Sequence, residues 1–156
     1  MFKAFKYRLY PSRTQERLLS QTLETCRRWY NTCLEERKTA WETEKRSVGQ
    51  YAQLRKVKAL KGSNAYAAPV HSHILKVVVQ DLDKAFHAFF RRVKAGETPG
   101  YPRFKGRDRF HSFGMKEYGN GFRLDGRRLK VSGIGRIPVR WHRPIEGEVK
   151  TVRLLR

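Results

Sequence analysis

Residues 5–15 read Phe5-Lys6-Tyr7-Arg8-Leu9-Tyr10-Pro11-Ser12-Arg13-Thr14-Gln15. In the first half of this stretch, apolar side chains at every second position alternate with lysine and arginine, a pattern typical of a half-buried β-strand. Pro11 ends the strand, because a proline has no backbone N–H to donate. No neighbouring segment can pair with this strand, so its partners must come from much later in the chain.

A long helix is predicted to begin directly after the strand. Ser12 and Gln15 have the spacing of a capping box, in which the serine hydroxyl accepts from a free amide and the glutamine reaches back. An apolar stripe at steps of three and four follows, made of Leu19, Leu23, Cys26, Tyr30 and Cys33. A shorter helical segment covers about residues 51–60, and a strongly amphipathic helix covers 72–94 and stops at Gly96.

The second half of the chain is predicted to be β-structure. After Gly96 the sequence is rich in proline and glycine, and short alternating segments follow. Asp125-Gly126 lies between two of these segments and predicts a two-residue hairpin of type I′. Further strands are predicted over 137–141 and 149–155, and Pro138 places the first of them at a sheet edge.

These elements predict an α+β fold in which one part interrupts the other. Partners for the N-terminal strand begin only after Ser112, so residues 1–10 and 98–156 are predicted to form a small antiparallel β-barrel. Residues 11–97 then form a helical lobe inserted into that barrel. A chain of 156 residues is long enough to bury a real core without disulfides or metals.

The net charge points to a polyanionic partner. Thirty-five Lys and Arg oppose fourteen Asp and Glu, which leaves +21. Small domains usually carry a net charge of about 2–8, and a larger excess attracts nucleic-acid phosphates, whose neutralisation releases counterions. The alternative is a basic surface that serves solubility alone.

The basic residues are unevenly distributed. Residues 14–47 hold seven basic and six acidic residues, whereas residues 123–156 hold ten basic and three acidic ones. Residues 91–110 add seven basic residues against two acidic ones, interleaved with aromatic residues that suit base stacking. The predicted phosphate contacts are Lys6, Arg8, Arg103, Lys105, Arg107, Arg109, Arg123, Arg127, Arg128 and Lys130. The predicted stacking residues, for which core packing is the alternative, are Tyr101, Phe104 and Phe110.

No catalytic residue, metal site or cofactor is expected. Asp81 and Asp83 are two residues apart on one helix and therefore face different directions. Cys26 and Cys33 lie about 10 Å apart along a helix axis, too far for a disulfide, and are interpreted as buried thiols. The five histidines lack zinc-binding spacing, and the sequence contains no P-loop, GxGxxG or GxSxG motif.

Membrane insertion and secretion are not expected. No run of apolar residues, Val77-Val78-Val79 included, is longer than four, which is far short of the roughly 18–20 apolar residues that span a bilayer. The first residues contain no apolar segment of the kind found in signal peptides. We therefore expect a cytoplasmic, nucleoid-associated protein with no membrane partner.

Several strings along the chain resemble one known family. They are Lys6-Tyr7-Arg8-Leu9-Tyr10-Pro11-Ser12 with Gln15, Cys26-Arg27-Arg28-Trp29-Tyr30-Asn31 with Leu34, Lys84-Ala85-Phe86 with Phe89-Phe90, and Gly100-Tyr101-Pro102-Arg103-Phe104-Lys105 with Ser112-Phe113. Together they resemble the N-terminal part of the TnpB (OrfB) proteins, which are encoded by insertion sequences and related to type V CRISPR effectors. The resemblance runs over essentially the whole chain.

The resemblance implies part of an RNA-guided DNA endonuclease, in which a wedge-like β-barrel carries an inserted helical recognition lobe. In the family these parts hold a transposon-derived guide RNA and help to read a short motif beside the target in double-stranded DNA. By position, the motif-reading residues would be Ser72, His73, Lys76, Gly114, Met115 and Lys116. Lys76 stands where the family pattern leads us to expect a glutamine.

In the family, a following RuvC-like domain cuts DNA with three acidic residues and is interrupted by a zinc ribbon. These carboxylates and the CxxC pairs are absent from residues 1–156, so we expect this chain not to cut DNA by itself. It would be a truncated gene product, an excised fragment, or a subunit acting with a partner chain that carries the RuvC domain. The alternative is a stand-alone DNA-binding regulator derived from a transposase.

Overall fold

The computed structural model describes residues 2–156 and contains both helices and antiparallel strands. The elements are β1 (Arg8–Leu9), α1 (Arg13–Glu44), α2 (Gln50–Leu54), α3 (Val57–Ser63), α4 (Ser72–Lys94), β2 (Ser112–Met115), β3 (Phe122–Asp125), β4 (Arg128–Val131), β5 (Gly135–Arg140) and β6 (Val152–Leu155). The predicted α+β class is confirmed. The predicted segment over 51–60 is two short helices rather than one, α2 and α3.

The start of α1 is the capping box that the sequence predicts. Ser12 Oγ accepts from the Gln15 amide at 3.2 Å, and the Ser12 amide donates to Gln15 Oε1 at 2.9 Å. The other end of the same side-chain amide, Gln15 Nε2, donates to the carbonyl of Arg136 at 2.7 Å. One side chain therefore caps the long helix and ties it to β5.

The apolar stripe of α1 packs against α4. Cys26, Leu34, Leu75 and Leu82 are completely buried between these helices and their neighbours. Trp29 adds a directional contact, because its Nε1 donates to the carbonyl of Leu75 at 3.1 Å. These contacts fix the orientation of α4, whose opposite face remains available to solvent.

The strands form two separate sheets. The larger has the order β1-β5-β4-β3 and the smaller pairs β2 with β6, all antiparallel. The N-terminal strand does pair with a late strand, since Leu9 lies opposite Val139. The predicted closed barrel is wrong, because the sheets remain open. Pro11 limits β1 to two paired residues, too few to carry the staggered pairing that closure needs.

The β3–β4 hairpin differs in detail from the prediction. Asp125 pairs with Arg128, so the two loop residues are Gly126 and Arg127. Only Gly126 has a positive φ, +60°, which is the pattern of a type II′ turn rather than type I′.

Pro138 lies in a central strand and not at the predicted edge, since β5 pairs with both β1 and β4. The Pro138 carbonyl accepts from the Tyr10 amide at 2.9 Å. The N–H and C=O of a strand residue point to the same side, so the missing donor of Pro138 faces the place where the pairing with β1 ends. Few sheet hydrogen bonds are lost there.

One buried cluster extends from the helices into both sheets. It includes Tyr30 of α1, Val78 of α4, Phe113 of β2 and Ile137 of β5. The division into residues 1–10 with 98–156 and residues 11–97 stays a prediction. No helix in the described part of the chain has the length and apolarity needed to cross a membrane.

Candidate nucleic-acid interface

The larger sheet presents one apolar and one basic face. Leu129, Val131 and Ile137 point into the core. The intervening positions point the other way, because successive strand residues alternate between faces. The six basic residues on that side, here called the basic face, are Arg8, Arg123, Arg128, Lys130, Arg136 and Arg140.

The register of the sheet places like charges directly opposite each other. Lys130 lies between Arg123 on one side and Arg136 on the other, and Arg8 lies opposite Arg140. Such pairs destabilise an antiparallel sheet, because their Cβ atoms are only about 4.5–5.5 Å apart. The arrangement therefore costs stability in the free protein.

Among the described residues, one carboxylate lies on the basic face, that of Asp125. Asp125 accepts from Arg136 Nε at 2.5 Å and lies opposite Arg128 in the ladder. The hydrogen bond from Arg136 holds the pKa of Asp125 below its ordinary value. A single ionised carboxylate leaves the face strongly positive.

Sequence analysis found most, but not all, of this face. Arg8, Arg123, Arg128 and Lys130 lie on it, and Arg136 and Arg140 are further members that were not among the predicted contacts. The period-two alternation of these two arginines with Ile137 and Val139 is the signal that could have found them.

Two predicted contacts lie beside the basic face. Lys6 is exposed just before β1, and Arg127 is exposed in the β3–β4 loop. The loop is tied to the sheet because the carbonyl of Arg127 accepts from Trp141 Nε1 at 3.0 Å.

Of the phosphate contacts predicted between residues 103 and 109, Lys105 is anchored to α1. The Lys105 amide donates to Asn31 Oδ1 at 2.8 Å, and the Lys105 carbonyl accepts from Asn31 Nδ2 and Arg27 Nη1, both at 2.9 Å. Its ammonium lies 5.7 Å from the centre of the Tyr30 ring. Lys105 is thus half-buried, whereas the other basic residues of the tract are exposed: Arg103, Arg107 and Arg109.

The three aromatic stacking candidates are in different environments. Tyr101 packs edge-on against Phe86 and Phe89 of α4, with centroids 5.5 and 5.4 Å away. Phe110 is half-buried, 5.9 Å from the Tyr30 ring, so core packing describes it better than base stacking. Phe104 is 49% exposed and offers its ring most freely.

The residues predicted to read a target-adjacent motif do not form one exposed cluster. Ser72 and His73 are half-buried at the start of α4, and Lys76 is exposed one turn later. Met115 is fully buried, so its assignment as a base-reading side chain is wrong.

The two remaining residues predicted to read the motif, Gly114 and Lys116, lie in β2 and directly after it. Gly114 is buried, and a Cβ at this position would come 2.9 Å from the carbonyl of Val152, so the residue serves close strand pairing. Lys116 is exposed next to it, and partial burial together with the positive charge of Lys84 lowers its pKa.

The helix aspartates and cysteines have structural surroundings. Asp81 accepts from Arg153 at 2.7 Å, and Asp83 accepts from the buried Arg37 at 3.1 Å. Burial raises the pKa of both cysteine thiols, Cys26 and Cys33, to about 12. Residues 2–156 contain no cluster of three or more His, Cys, Asp or Glu side chains that could hold a metal ion.

The N-terminal part of the chain is similar to a known protein family. Residues 1–46 match a family model described as a helix-turn-helix domain, that of OrfB from IS605-type elements. In the structure this range contains β1 and then α1 as a single uninterrupted helix.

A relative extends the match along the chain. A candidate RNA-guided DNA endonuclease of Streptomyces pristinaespiralis is 32% identical over 147 residues, which are 92% of this chain and 35% of that protein. The chain thus spans about a third of the length of the relative. The two matches confirm the resemblance found in the sequence: this chain is related to the N-terminal part of the TnpB/OrfB proteins.

Proposed function

We propose that this chain is the nucleic-acid-binding, non-catalytic portion of a TnpB-like RNA-guided nuclease, and that the basic face is its main contact with phosphates. The observation that carries the proposal is the ladder in which Arg123, Lys130 and Arg136 lie side by side. Phosphates inserted among these cations relieve their mutual repulsion and release counterions, so the cost in the free protein is recovered on binding.

The partners we propose are a transposon-derived guide RNA and double-stranded target DNA. Contacts to phosphates position a nucleic acid without reading its sequence, which suits a structured RNA recognised by shape. Lys76 and Lys116 are exposed at and near α4, and we assign them to the DNA beside the target.

Cleavage is assigned to residues other than those of this chain. Both aspartates of α4 are engaged with arginines, which supports a structural role for them. Incubated with guide RNA, magnesium and target duplex, this chain should leave the DNA intact unless a RuvC-containing chain is added. Robust cleavage that is lost in Asp81→Ala would contradict the assignment.

The binding proposal is tested by removing three charges from the basic face. The triple variant Arg123→Ser, Arg128→Ser, Lys130→Ser is compared with a control that loses three exposed charges elsewhere, Arg17→Ser, Lys45→Ser, Arg46→Ser. Affinity for a structured RNA and for duplex DNA is measured between 50 and 200 mM salt. The slope of log affinity against log salt should fall by roughly one for each phosphate that the first variant no longer neutralises, and little in the control.

The outcomes separate the candidate functions. Equal slopes in both variants would show that net charge alone drives binding and would overturn the assignment of the face. Tight binding to duplex DNA without any RNA would favour a stand-alone DNA-binding regulator instead.

A further inference from the structure

His71 lies where the start of α4 meets the strands. Its Nδ1 accepts from the backbone amide of His73 at 3.1 Å, which makes it the N-cap of α4. Histidine is not among the residues that usually cap helices, which are Ser, Thr, Asn and Asp. The imidazole ring is larger than those side chains, and the rest of its surface packs on a second element.

That second element is the connection between β2 and β3. A Cβ at Gly121, the last residue of the connection, would come 3.0 Å from His71 Nδ1 and 2.7 Å from Met115 Sδ, so the contact requires a glycine. Gly121 also has a φ of +91°, which other residues rarely adopt. Its carbonyl accepts from the Ser132 amide at 2.7 Å, directly after β4. One ring thus joins α4 to β2 and to the larger sheet.

The segment that enters α4 has a further fixed point on the larger sheet. A Cβ at Gly133, in the turn between β4 and β5, would come 3.2 Å from the carbonyl of Pro69. Val70, between Pro69 and His71, is buried in the core. Residues 69–71 are therefore held on the sheet, and the His71 cap fixes the first turn of α4 relative to them.

This contact lies between the two lysines that we assign to the DNA beside the target. Lys76 follows His71 by five residues on α4, and Lys116 directly follows Met115 of β2. Both lysines are exposed, so the positions of their charges depend on the backbone that carries them. His71 is the side chain that contacts both pieces of backbone.

We propose that His71 is a positioning residue for DNA binding, which holds Lys76 and Lys116 in a fixed relation by capping α4 and packing on the β2–β3 connection at the same time. The cap requires the neutral ring, because Nδ1 accepts only when the proton of the imidazole is on Nε2. This inference rests on the proposed function and adds to it a residue that acts through the two lysines rather than on the DNA.

The ring is neutral at pH 7. Burial lowers the pKa of His71 below its ordinary value of about 6.5. Three neighbouring groups of α3 and α4 lower it further through their positive charge: His73, Lys61 and Lys76. Gly121 and Met115, which also pack on the ring, do not titrate. Protonation would replace the acceptor by a donor and place a positive charge at a helix N-terminus, where the helix dipole disfavours it. The contact should therefore loosen as the pH falls below about 6.5.

The first experiment asks whether His71 acts through the lysines. His71→Ala removes the cap and the ring, and its effect on the affinity for a DNA duplex is measured with both lysines present and in the double variant Lys76→Ser, Lys116→Ser. We expect a loss of about 5-fold in the first background and none in the second, because no charge is then left to misplace. Affinity for a structured RNA, which we assign to the basic face, should not change. An equal loss in both backgrounds, or for both ligands, would overturn the proposal.

The second experiment uses the pH. His71→Asn keeps an oxygen that can cap α4 and removes the titrating ring, so it should fold even if His71→Ala does not. Between about pH 8 and about pH 5.5, the parent chain should lose about 5-fold in affinity for the duplex relative to His71→Asn. A parent chain that binds as well as His71→Asn across this range would overturn the proposal.

His111→Asn is the matched control for the pH experiment. His111 is exposed directly before β2, and its protonation adds a charge that attracts phosphates. Relative to His111→Asn, the parent chain should therefore not lose affinity as the pH falls. The same loss relative to both asparagine variants would show that the pH acts on the whole chain and not through His71, and would overturn the proposal.

The basic-face triple variant separates this inference from the proposed function. If it weakens binding of RNA and DNA while His71→Asn matches His111→Asn at every pH, the proposed function stands and the role of His71 fails. If the triple variant binds both nucleic acids like the parent chain, the proposed function itself fails.

Discussion

The helices and the larger sheet use their charged residues in opposite ways. Between α1 and α4, Arg37 is buried and is held by Asp83 at 3.1 Å and by Gln53 at 2.9 Å. On the sheet, Lys130 is flanked in the ladder by Arg123 and Arg136. Charges in the first region are paired within the fold, and most of those in the second have like charges as their neighbours in the ladder.

This difference between the helices and the sheet shows that net charge alone does not indicate which surface is available to a polyanion. Glu24 of α1 accepts from both Arg27 and Arg28, so one carboxylate offsets half of the positive charge of this arginine pair. The basic face has only Asp125 as an acidic member among the described residues. Most cations of the basic face lack a neighbouring carboxylate, and under the proposed function the phosphates of a ligand would supply the missing anions.

The largest loss of folding stability is expected when the buried ion pair between Arg37 and Asp83 is broken. Asp83→Ala leaves Arg37 buried without its carboxylate, and removal of one partner of a buried ion pair costs about 3–5 kcal/mol. The side chains are 8% and 14% exposed, so solvent cannot replace the missing charge. Urea denaturation should show this loss in the free energy of unfolding.

A surface pair provides the control for this change. Glu44→Ala breaks the ion pair with Arg46, whose side chains are 62% and 59% exposed, and should cost at most about 1 kcal/mol. Equal losses in the two variants would contradict a special role for the buried pair.

The second largest loss of stability is expected at Gln15, whose side chain joins α1 to β5 of the larger sheet. Gln15→Ala removes a capping partner of Ser12 and the bond to the Arg136 carbonyl. The loss should be about 1–2 kcal/mol in urea denaturation, because a cap and one tertiary hydrogen bond are removed together. Gln15→Glu retains the cap but not the donor to Arg136, and should recover part of the loss. A Gln15→Glu variant as stable as the parent chain would contradict the role of the tertiary bond, and equal losses in the two variants would contradict the role of the cap.

A smaller effect is expected from the pH dependence of the α1 ion pairs. Hydrogen bonding from Arg27 lowers the pKa of Glu24 from 4.5 to about 2. A carboxyl group with a lowered pKa stabilises the folded state above its unfolded pKa, and this contribution is lost as pH falls from about 4.5 towards 2. Glu24→Gln should therefore be less stable than the parent chain at pH 7, and the two should converge near pH 2. A difference that stays constant with pH would contradict this.

Local features were predictable from the sequence because few residues decide them. The capping box needs only Ser12 and Gln15 in the right spacing, and the structure contains both of its bonds. The hairpin around Gly126 follows from a turn signal between alternating segments, although the register moved the loop by one residue. The partnership of β1 with a late strand was predicted from the lack of any nearer partner.

Features that depend on packing between distant segments were not predictable. Met115 was assigned to motif reading by its position in the family resemblance, yet β2 lies on α4 and the Met115 side chain is fully buried. Closure of a barrel cannot be inferred from strand count, because it depends on how many residues of β1 pair before Pro11. The alternation indicates that Arg136 and Arg140 point away from the core, but which cations they lie beside follows from the pairing of β5 with β4 and β1.

The smallest change in stability is expected at Lys130, the central cation of the basic face. Lys130→Thr removes the central charge of the ladder and introduces a residue that favours strands, so the free chain should gain up to about 1 kcal/mol of stability at low salt. Salt screens like-charge repulsion, so the gain should shrink as ionic strength rises. The affinity of the same variant for RNA should fall. One substitution would then raise the stability of the free chain and weaken its binding to RNA.

Lys150→Thr is the matched control for this last change. It removes the same charge, but Lys150 lies 3.7 Å from Glu148 on the surface, so its loss should not increase stability. Urea denaturation at 10 and 300 mM salt measures both variants, and anisotropy measures RNA binding. A loss of stability in Lys130→Thr that does not depend on salt would show that the lysine supports the fold. The basic face would then not differ from the paired charges of the helices, because its cations would also be part of what stabilises the folded chain.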